Sequence, residues 1–360
     1  MPVPMPDNMK DFSQNPYYPN MDLVRYVLAI GVVVTHYNFL AGHSLPFFLS
    51  PFHCVGAFFA LSGFLIYPTY HKSGSFKVFL RNRMRRILPP YLFIIFLAAL
   101  GLVFVSSLSA SSYFSSSEFW KYLIFNSLFL NWLQPSLPGV FEGPQFAISA
   151  VNPSLWTLKI EWCLYLSVPI VLAVIRRFRF NEVRFLIAII LLSIIFRLAM
   201  MMLCMNSGNL IYYTLSQQFF GQVSYFYSGA LIYIYRSRFI RHLGKFILAG
   251  CILTIISTQF KPYGEILLTP VALSCATLGF SLIPKSLNLL RHKNNVSYQI
   301  YLYHAPLIQL SVFLGWNTAP ALISFPLVIL LTLALSIIQH NISLRFNISH
   351  LNIWRRLSEK

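Results

Sequence analysis

Two ionisable side chains stand in apolar stretches of this sequence, where a charge is costly. His36 lies in the mostly apolar stretch 28–41, and Glu161 opens the apolar run 161–175. The chain has only 9 Asp and Glu residues among 360, so a carboxylate at the first residue of an apolar run is unexpected. Ionisable groups inside hydrocarbon are expensive and are typically functional. If the two side chains meet, they form a carboxylate–imidazole pair that can take a proton from a hydroxyl group.

Each of the two residues also has an ordinary explanation. A histidine in a membrane helix often packs through a hydrogen bond to its neighbour, and Glu161 could extend to the membrane interface beside Lys159. His36 and Glu161 are predicted to lie at a similar depth in the membrane, which favours a shared function. His36 lies roughly 20 Å along its helix at 1.5 Å per residue, and Glu161 lies near the outer end of a helix that runs in the opposite direction.

A dense basic cluster at residues 79–91 is the next candidate. Arg83, Arg85 and Arg86 precede Pro89 and Pro90, which predict the start of a helix. Guanidinium groups suit phosphates because several donors in one plane grip two oxygens. Orientation in the membrane is the commoner use of such clusters, so both interpretations stay open.

Other polar residues in apolar segments could line a substrate, although packing explains them equally well. His304 is a second histidine near the middle of a predicted span, and Arg197 is an intramembrane cation with no evident partner. The substrate-lining candidates are Tyr37, Asn38, Ser62, Trp156, Arg197 and His304. No metal-binding, nucleotide-binding or serine-hydrolase motif is present, so no metal is expected.

These residues are positioned by a membrane-embedded chain. Hydrophobic residues make up 57% and charged residues 10%, and the mean hydropathy is +0.64. The net charge of +18 does not indicate nucleic acid, because the charges fall in short clusters between apolar runs. The five cysteines lie singly in apolar segments and are expected to be small packing residues.

The sequence predicts an all-α bundle of about ten transmembrane helices with both termini cytoplasmic. The predicted spans are 22–41, 52–70, 88–106, 159–176, 184–204, 217–235, 246–260, 265–283, 296–314 and 320–339. This topology places 23 of the 27 Lys and Arg residues inside, as the excess of positive charge in cytoplasmic loops requires. The exceptions are Lys121, Lys159, Arg197 and Lys261.

The chain divides into three predicted parts. Residues 1–21 form a polar cytoplasmic segment, 22–340 the transmembrane domain and 341–360 a basic cytoplasmic tail. Residues 107–158 are assigned to the outer face. The apolar stretch 119–133 is expected to be a re-entrant or interfacial helix there, because it is short for a span and an extra span would invert the charge distribution.

Taken in order, these segments resemble the acyltransferase-3 family of integral membrane acyltransferases, over roughly residues 20–310. The similar motifs are, in chain order, Asp22-Leu23-Val24-Arg25 leading to His36; Phe58-Phe59-x-x-Ser62-Gly63-Phe64; Phe79 to Pro89 with its arginines; Trp156-x-Leu158-x-x-Glu161 with Tyr165 and Pro169; and Tyr301-Leu302-x-His304. Two departures are Leu23-Val24 in the first motif and Lys159-Ile160 before the glutamate.

The resemblance implies transfer of an acyl group, most simply acetyl from acetyl-coenzyme A, to a hydroxyl of a cell-surface or lipid-linked glycan. His36 would be the general base, Glu161 would orient it, and Arg83, Arg85 and Arg86 would hold the phosphates of the donor. Direct transfer and an acyl-histidine relay both stay open, as do the acceptor and the oligomeric state. The expected location is the inner membrane of a bacterium.

The main rival is a glycan or lipid transporter, which buried His, Glu and Arg side chains would also suit. Transporters often show internal repeats, and none is visible here. A glycan polymerase would need paired outer carboxylates, for which Glu118 and Glu142 are weak candidates.

Overall fold

The computed structural model describes residues 18–285 and 295–358, and the regular structure of these residues is entirely helical. Two predicted features lie partly outside that range: the polar N-terminal segment up to residue 17, and the connection between the predicted spans 265–283 and 296–314, of which residues 286–294 are not described. The side chains of the predicted basic tail also lie outside the description, although its backbone continues the last helix to Ser358.

The α-helices follow one another with short connections. Their bounds are α1 Pro19–Ala41, α2 Pro51–Ser73, α3 Phe76–Gly101, α4 Ala110–Ser115, α5 Ser117–Ser127, α6 Trp156–Phe178, α7 Glu182–Ser207, α8 Leu210–Ser216, α9 Phe219–Ile234, α10 Arg236–Arg241, α11 Leu243–Gln259, α12 Tyr263–Leu267, α13 Thr269–Ser281, α14 Ser297–Phe313 and α15 Ala321–Ser358.

Six helical stretches in the described part of the chain are long and apolar enough to cross a membrane. They are Asn20–Ala41, Pro51–Tyr70, Phe76–Val105, Pro153–Phe178, Glu182–Ser207 and Ala321–Ser343. The other four predicted spans coincide with α9, α11, α13 and α14, which have 13 to 17 residues each. These helices are shorter than the roughly 20 residues that a bilayer core requires. The chain is a multi-pass membrane protein, while ten spans and cytoplasmic termini stay predictions.

The predicted helix start at Pro89 and Pro90 is wrong. Helix α3 begins at Phe76 and contains both prolines in its interior. A proline lacks the N–H that would bond to the carbonyl four residues earlier, so Arg85 and Arg86 lose their partners. Membrane helices tolerate this loss where other groups reach the freed carbonyls. The arginines therefore lie on a continuous helix instead of in a loop before it.

The segment 119–133 is helical only in its first part. Helix α5 ends at Ser127 and has 11 residues, about 16 Å at 1.5 Å per residue, which is too short to span. The chain then turns at Phe129, whose φ is 62°. The side chain of Asn126 closes this turn by donating to the Gln134 carbonyl at 2.9 Å. The predicted end at residue 133 is therefore too late, and the choice between a re-entrant and an interfacial helix stays open.

The described residues fall into two compact units, and boundaries between them lie inside α1, α3 and α6 and after Pro51, the first residue of α2. The first unit contains 18–28, 52–81 and 160–285, and the second contains 29–51, 82–159 and 295–358.

In the first unit, small residues allow close backbone contact between α2 and α9. A Cβ added to Gly63 would meet the Phe226 carbonyl oxygen at 1.8 Å, and one added to Gly229 would meet the Ala60 carbonyl oxygen at 2.0 Å. The absence of a side chain at Gly63 and Gly229 therefore allows the two helix backbones to approach closely within this unit.

In the second unit, the last turns of α1 pack on α14 and α15. This core contains Tyr37, Leu40, Ala41, Ala305, Ile308, Val312 and Val328. The segment 107–158 is anchored to α3, since the Tyr91 hydroxyl donates to the Asn126 carbonyl at 2.7 Å and the Tyr113 hydroxyl donates to the Ala99 carbonyl at 2.8 Å. The apolar core holds the end of α1, which carries His36, against α14, which carries His304.

Candidate active site

The side chain of His36 is held in one orientation by its own helix. Its Nδ1 lies 2.9 Å from the Val32 carbonyl oxygen. A carbonyl can only accept, so Nδ1 must carry the proton and Nε2 keeps its lone pair when the ring is neutral. The arrangement leaves Nε2 able to accept a proton.

A second histidine from α14 contacts the first. The rings of His36 and His304 have centroids 4.9 Å apart and meet edge to face at 68°. His304 is held in the same way, with Nδ1 3.2 Å from the Ile300 carbonyl oxygen. The second unit therefore contains a pair of imidazoles, each bonded to its own helix through Nδ1. This contact is not among the predictions from the sequence, which assign His36 and His304 separate roles.

The two histidines differ in exposure. His304 is 0% exposed, and its Nε2 is buried without a hydrogen-bond partner among the described residues. His36 is only partly buried. His36 is therefore the member of the pair that remains accessible at the surface, whereas His304 is enclosed.

A hydrogen-bond network joins the start of α6 to α14 close to this pair. The Tyr301 hydroxyl donates to the Ser154 carbonyl at 2.7 Å and accepts from the Thr157 hydroxyl at 2.6 Å. The Asn152 amide donates to the Leu302 carbonyl at 2.8 Å. The Tyr301 ring also lies 5.6 Å from the His304 ring, measured between centroids. This network fixes the turn of α14 that carries His304.

The neighbours of His36 on α1 have packing roles. Tyr37 is 0% exposed, and its hydroxyl lies 2.5 Å from the Ser324 hydroxyl oxygen. The Asn38 side chain makes two hydrogen bonds of 2.8 Å with the backbone of Leu45. Both polar groups are used inside the second unit, where they stabilise the end of α1. Trp156, the first residue of α6, is partly buried.

Glu161 belongs to the first unit and is partly buried on α6. Its carboxylate accepts a short hydrogen bond from the Tyr165 hydroxyl one turn later. The Nδ1 position of His36, which the orienting carboxylate of a catalytic triad would occupy, is filled here by the Val32 carbonyl. The pairing of Glu161 with His36 stays a prediction.

The arginines proposed to hold phosphates lie on the first half of α3. Arg85 and Arg86 are exposed and Arg83 is partly buried. Arg83 and Arg86 are three residues apart and share one face of the helix. The guanidinium groups of the two exposed arginines can be reached by an anion.

The two remaining candidates lie in the first unit. Ser62 is partly buried on α2, and Arg197 is buried on α7 with its guanidinium 3.5 Å from the Tyr225 hydroxyl. Among residues 18–285 and 295–358, no three His, Cys, Asp or Glu side chains are grouped so as to hold a metal ion.

Comparisons with known proteins give the family. A family profile described as an acyltransferase domain, that of the acyltransferase-3 family, matches residues 18–339. The chain is also similar to a protein of Shigella phage Sf6 named O-acetyl transferase, with 29% identity over 157 residues, which is 42% of this chain and 45% of that protein. The match thus spans less than half the length of the relative. No solved structure matches the chain significantly.

The profile covers α1 to the first turns of α15, and so includes both histidines, Glu161 and the arginines of α3. The chain therefore belongs to the acyltransferase-3 family.

Proposed function

We propose that this protein is an O-acyltransferase of the bacterial inner membrane. It moves an acyl group, most simply acetyl, from acetyl-coenzyme A on the cytoplasmic side to a hydroxyl of a cell-surface or lipid-linked glycan. Family membership and the name of the phage relative support acyl transfer. The donor, the acceptor and the membrane are inferred from the chemistry of the residues and the predicted topology.

The observation that carries the proposal is the pair of His36 and His304. The Nδ1 of His36 is bonded to a backbone carbonyl, so its Nε2 is available as a general base. Two positive rings with centroids 4.9 Å apart would repel each other. The pair therefore takes up one proton and returns it, as an acyl transfer requires. Such assistance is typically worth about 10²–10⁴-fold in rate.

The proposed reaction is a direct transfer. His36 Nε2 takes the proton of the acceptor hydroxyl, and the oxygen of that hydroxyl attacks the thioester carbonyl carbon. The carbon–sulfur bond then breaks, and the coenzyme A thiolate receives the proton from His36. Glu161 stabilises the positive imidazole ring that exists between these steps, and His304 positions that ring. A relay through an acyl-histidine would use the same Nε2 as nucleophile.

The donor is bound through its phosphates in this proposal. Arg83, Arg85 and Arg86 lie on one rigid helix, and two of them are exposed. Charge-assisted hydrogen bonds from guanidinium groups to phosphate oxygens are among the stronger polar contacts in proteins. The predicted topology places this end of α3 at the cytoplasmic face, where coenzyme A is found.

Coenzyme A release tests the proposal. The detergent-solubilised protein is mixed with acetyl-coenzyme A, with and without a pooled cell-surface glycan extract, and compared with Glu161→Gln. Release that depends on the glycan and is lost in the variant supports the proposal. Absence of release with any acyl donor, together with movement of a labelled glycan in proteoliposomes, would instead establish the transporter.

A further inference from the structure

The first unit contains its own group of ionisable side chains, which the proposed reaction does not use. Arg197 lies on α7 and His53 at the start of α2. Lys261 precedes α12, and Glu265 lies within it. Arg197 is 7% exposed and His53 is 6% exposed. Both are therefore polar side chains removed from solvent.

Arg197 has no carboxylate partner among the described residues. Its guanidinium contacts the Tyr225 side chain: Nη1 lies 3.5 Å from the Tyr225 hydroxyl, and the guanidinium carbon lies 5.6 Å from the centre of that ring. Its Nε is buried without a hydrogen bond in the described part of the chain. A desolvated cation without a counter-charge is unfavourable, so this site favours an anion.

The nearby carboxylate is already shared by other groups. Glu265 Oε1 lies 3.2 Å from Lys261 Nζ and 3.8 Å from His53 Nε2. His53 also interacts electrostatically with Arg197 and Lys261, so the four side chains form one group. Arg197 and Lys261 bring two positive charges to a group that has a single carboxylate, so the group carries net positive charge even when His53 is neutral.

The membrane topology does not explain these charges. Arg197 and Lys261 are two of the four basic residues that the predicted topology leaves outside the cytoplasmic clusters. Basic residues on the outer side do not help to orient a membrane protein. The structure gathers these two with a buried histidine, and this arrangement points to binding.

We propose that Arg197, His53 and Lys261 bind an oxyanion, a carboxylate or a phosphate, of the acceptor at the outer face. Arg197 supplies a fork of donors that matches two oxygens of such a group. Tyr225 contacts the guanidinium, and Lys261 is 59% exposed and can close over the ligand. Only the identification of the ligand as the acceptor rests on the proposed function.

Melting temperatures of the detergent-solubilised full chain test the site without any acyl donor. Glucuronate, inorganic phosphate and glucose are titrated at constant ionic strength. A saturable rise is expected with at least one of the two oxyanions and none with neutral glucose, because a ligand that binds only the folded state stabilises it. A stronger response to glucuronate indicates an acidic sugar, and a stronger response to phosphate indicates a lipid-carrier phosphate.

The variants decide the assignment. Arg197→Gln and Lys261→Gln should each weaken the apparent affinity at least tenfold, whereas Lys121→Gln, at another exposed basic residue, should not change it. If Arg197→Gln, a change at a buried residue, does not fold, the Lys261→Gln result alone decides the assignment. No saturable rise with either oxyanion, or an unchanged rise in the variants, overturns the proposal. Because no acyl donor is present, these outcomes are independent of coenzyme A release.

Discussion

At the residue scale, the proposed chemistry depends on which ring nitrogen of His36 is free. The bond from Nδ1 to the Val32 carbonyl leaves Nε2 as the base. A histidine that is merely packed would need a partner on a neighbouring helix, and the group that His36 meets there is another imidazole. Because His36 is partly exposed and His304 is fully buried, we propose proton transfer for the first and positioning for the second.

The replacement His304→Phe separates positioning from stability. It keeps a ring at the position but removes both nitrogens. The melting temperature should stay the same or rise, because a buried nitrogen without a partner is lost. We expect kcat to fall about tenfold or more, while KM for acetyl-coenzyme A is unchanged. An unaltered kcat in a folded variant would show that His304 only fills space.

At the element scale, α3 carries the proposed donor site, and its helix begins earlier than the sequence predicts. The prolines predicted a helix start, yet they lie inside a helix that begins at Phe76. A pattern of local residues cannot show this, because the groups that compensate for a missing N–H come from elsewhere in the fold. The rigid helix then gives Arg83 and Arg86 a fixed spacing.

Replacement of one exposed arginine tests this donor site. Arg86→Gln should raise KM for acetyl-coenzyme A about tenfold to a hundredfold, the equivalent of one charged hydrogen bond, with little change in kcat. Arg177→Gln removes an exposed arginine from a different basic cluster and should leave KM unchanged. Equal effects of the two variants would mean that the arginines of α3 act only through overall charge.

Close packing of α2 on α9 gives a stability prediction. Gly63→Ala places a Cβ 1.8 Å from the Phe226 carbonyl oxygen, and overpacking of this kind costs about 1–3 kcal/mol or more. Gly244→Ala, where nothing lies within 4 Å of the added atom, should be neutral or stabilising by up to about 1 kcal/mol. Melting temperatures in detergent measure both, and similar values for the two variants would contradict the contact.

At the scale of the whole molecule, the sequence predicted the membrane class, the helical fold and the family. It did so because apolar run length and charge position are properties of the chain alone. It did not predict that His36 would contact His304, since the packing of distant helices decides that. Nor could it show that the Tyr37 side chain is hydrogen-bonded to Ser324 and the Asn38 side chain to Leu45.

The predicted orientation is open to cysteine labelling in intact cells. A membrane-impermeant maleimide should label Ser109→Cys, at an exposed residue of the predicted outer segment. Ser237→Cys, exposed on α10 in a predicted inner cluster, should be labelled only after permeabilisation. Labelling is counted above the background of the five native cysteines. The opposite pattern would show that the charge distribution was misinterpreted.

Transfer of radiolabelled acetyl from acetyl-coenzyme A to a glycan extract tests the central claim most directly, with His36→Gln compared with wild type. His242→Gln, at an exposed histidine, is the matched control. We predict that transfer falls about 10²–10⁴-fold in His36→Gln and is unchanged in the control, with both variants folded. Transfer at the wild-type rate by folded His36→Gln would contradict the assignment of His36 as the base.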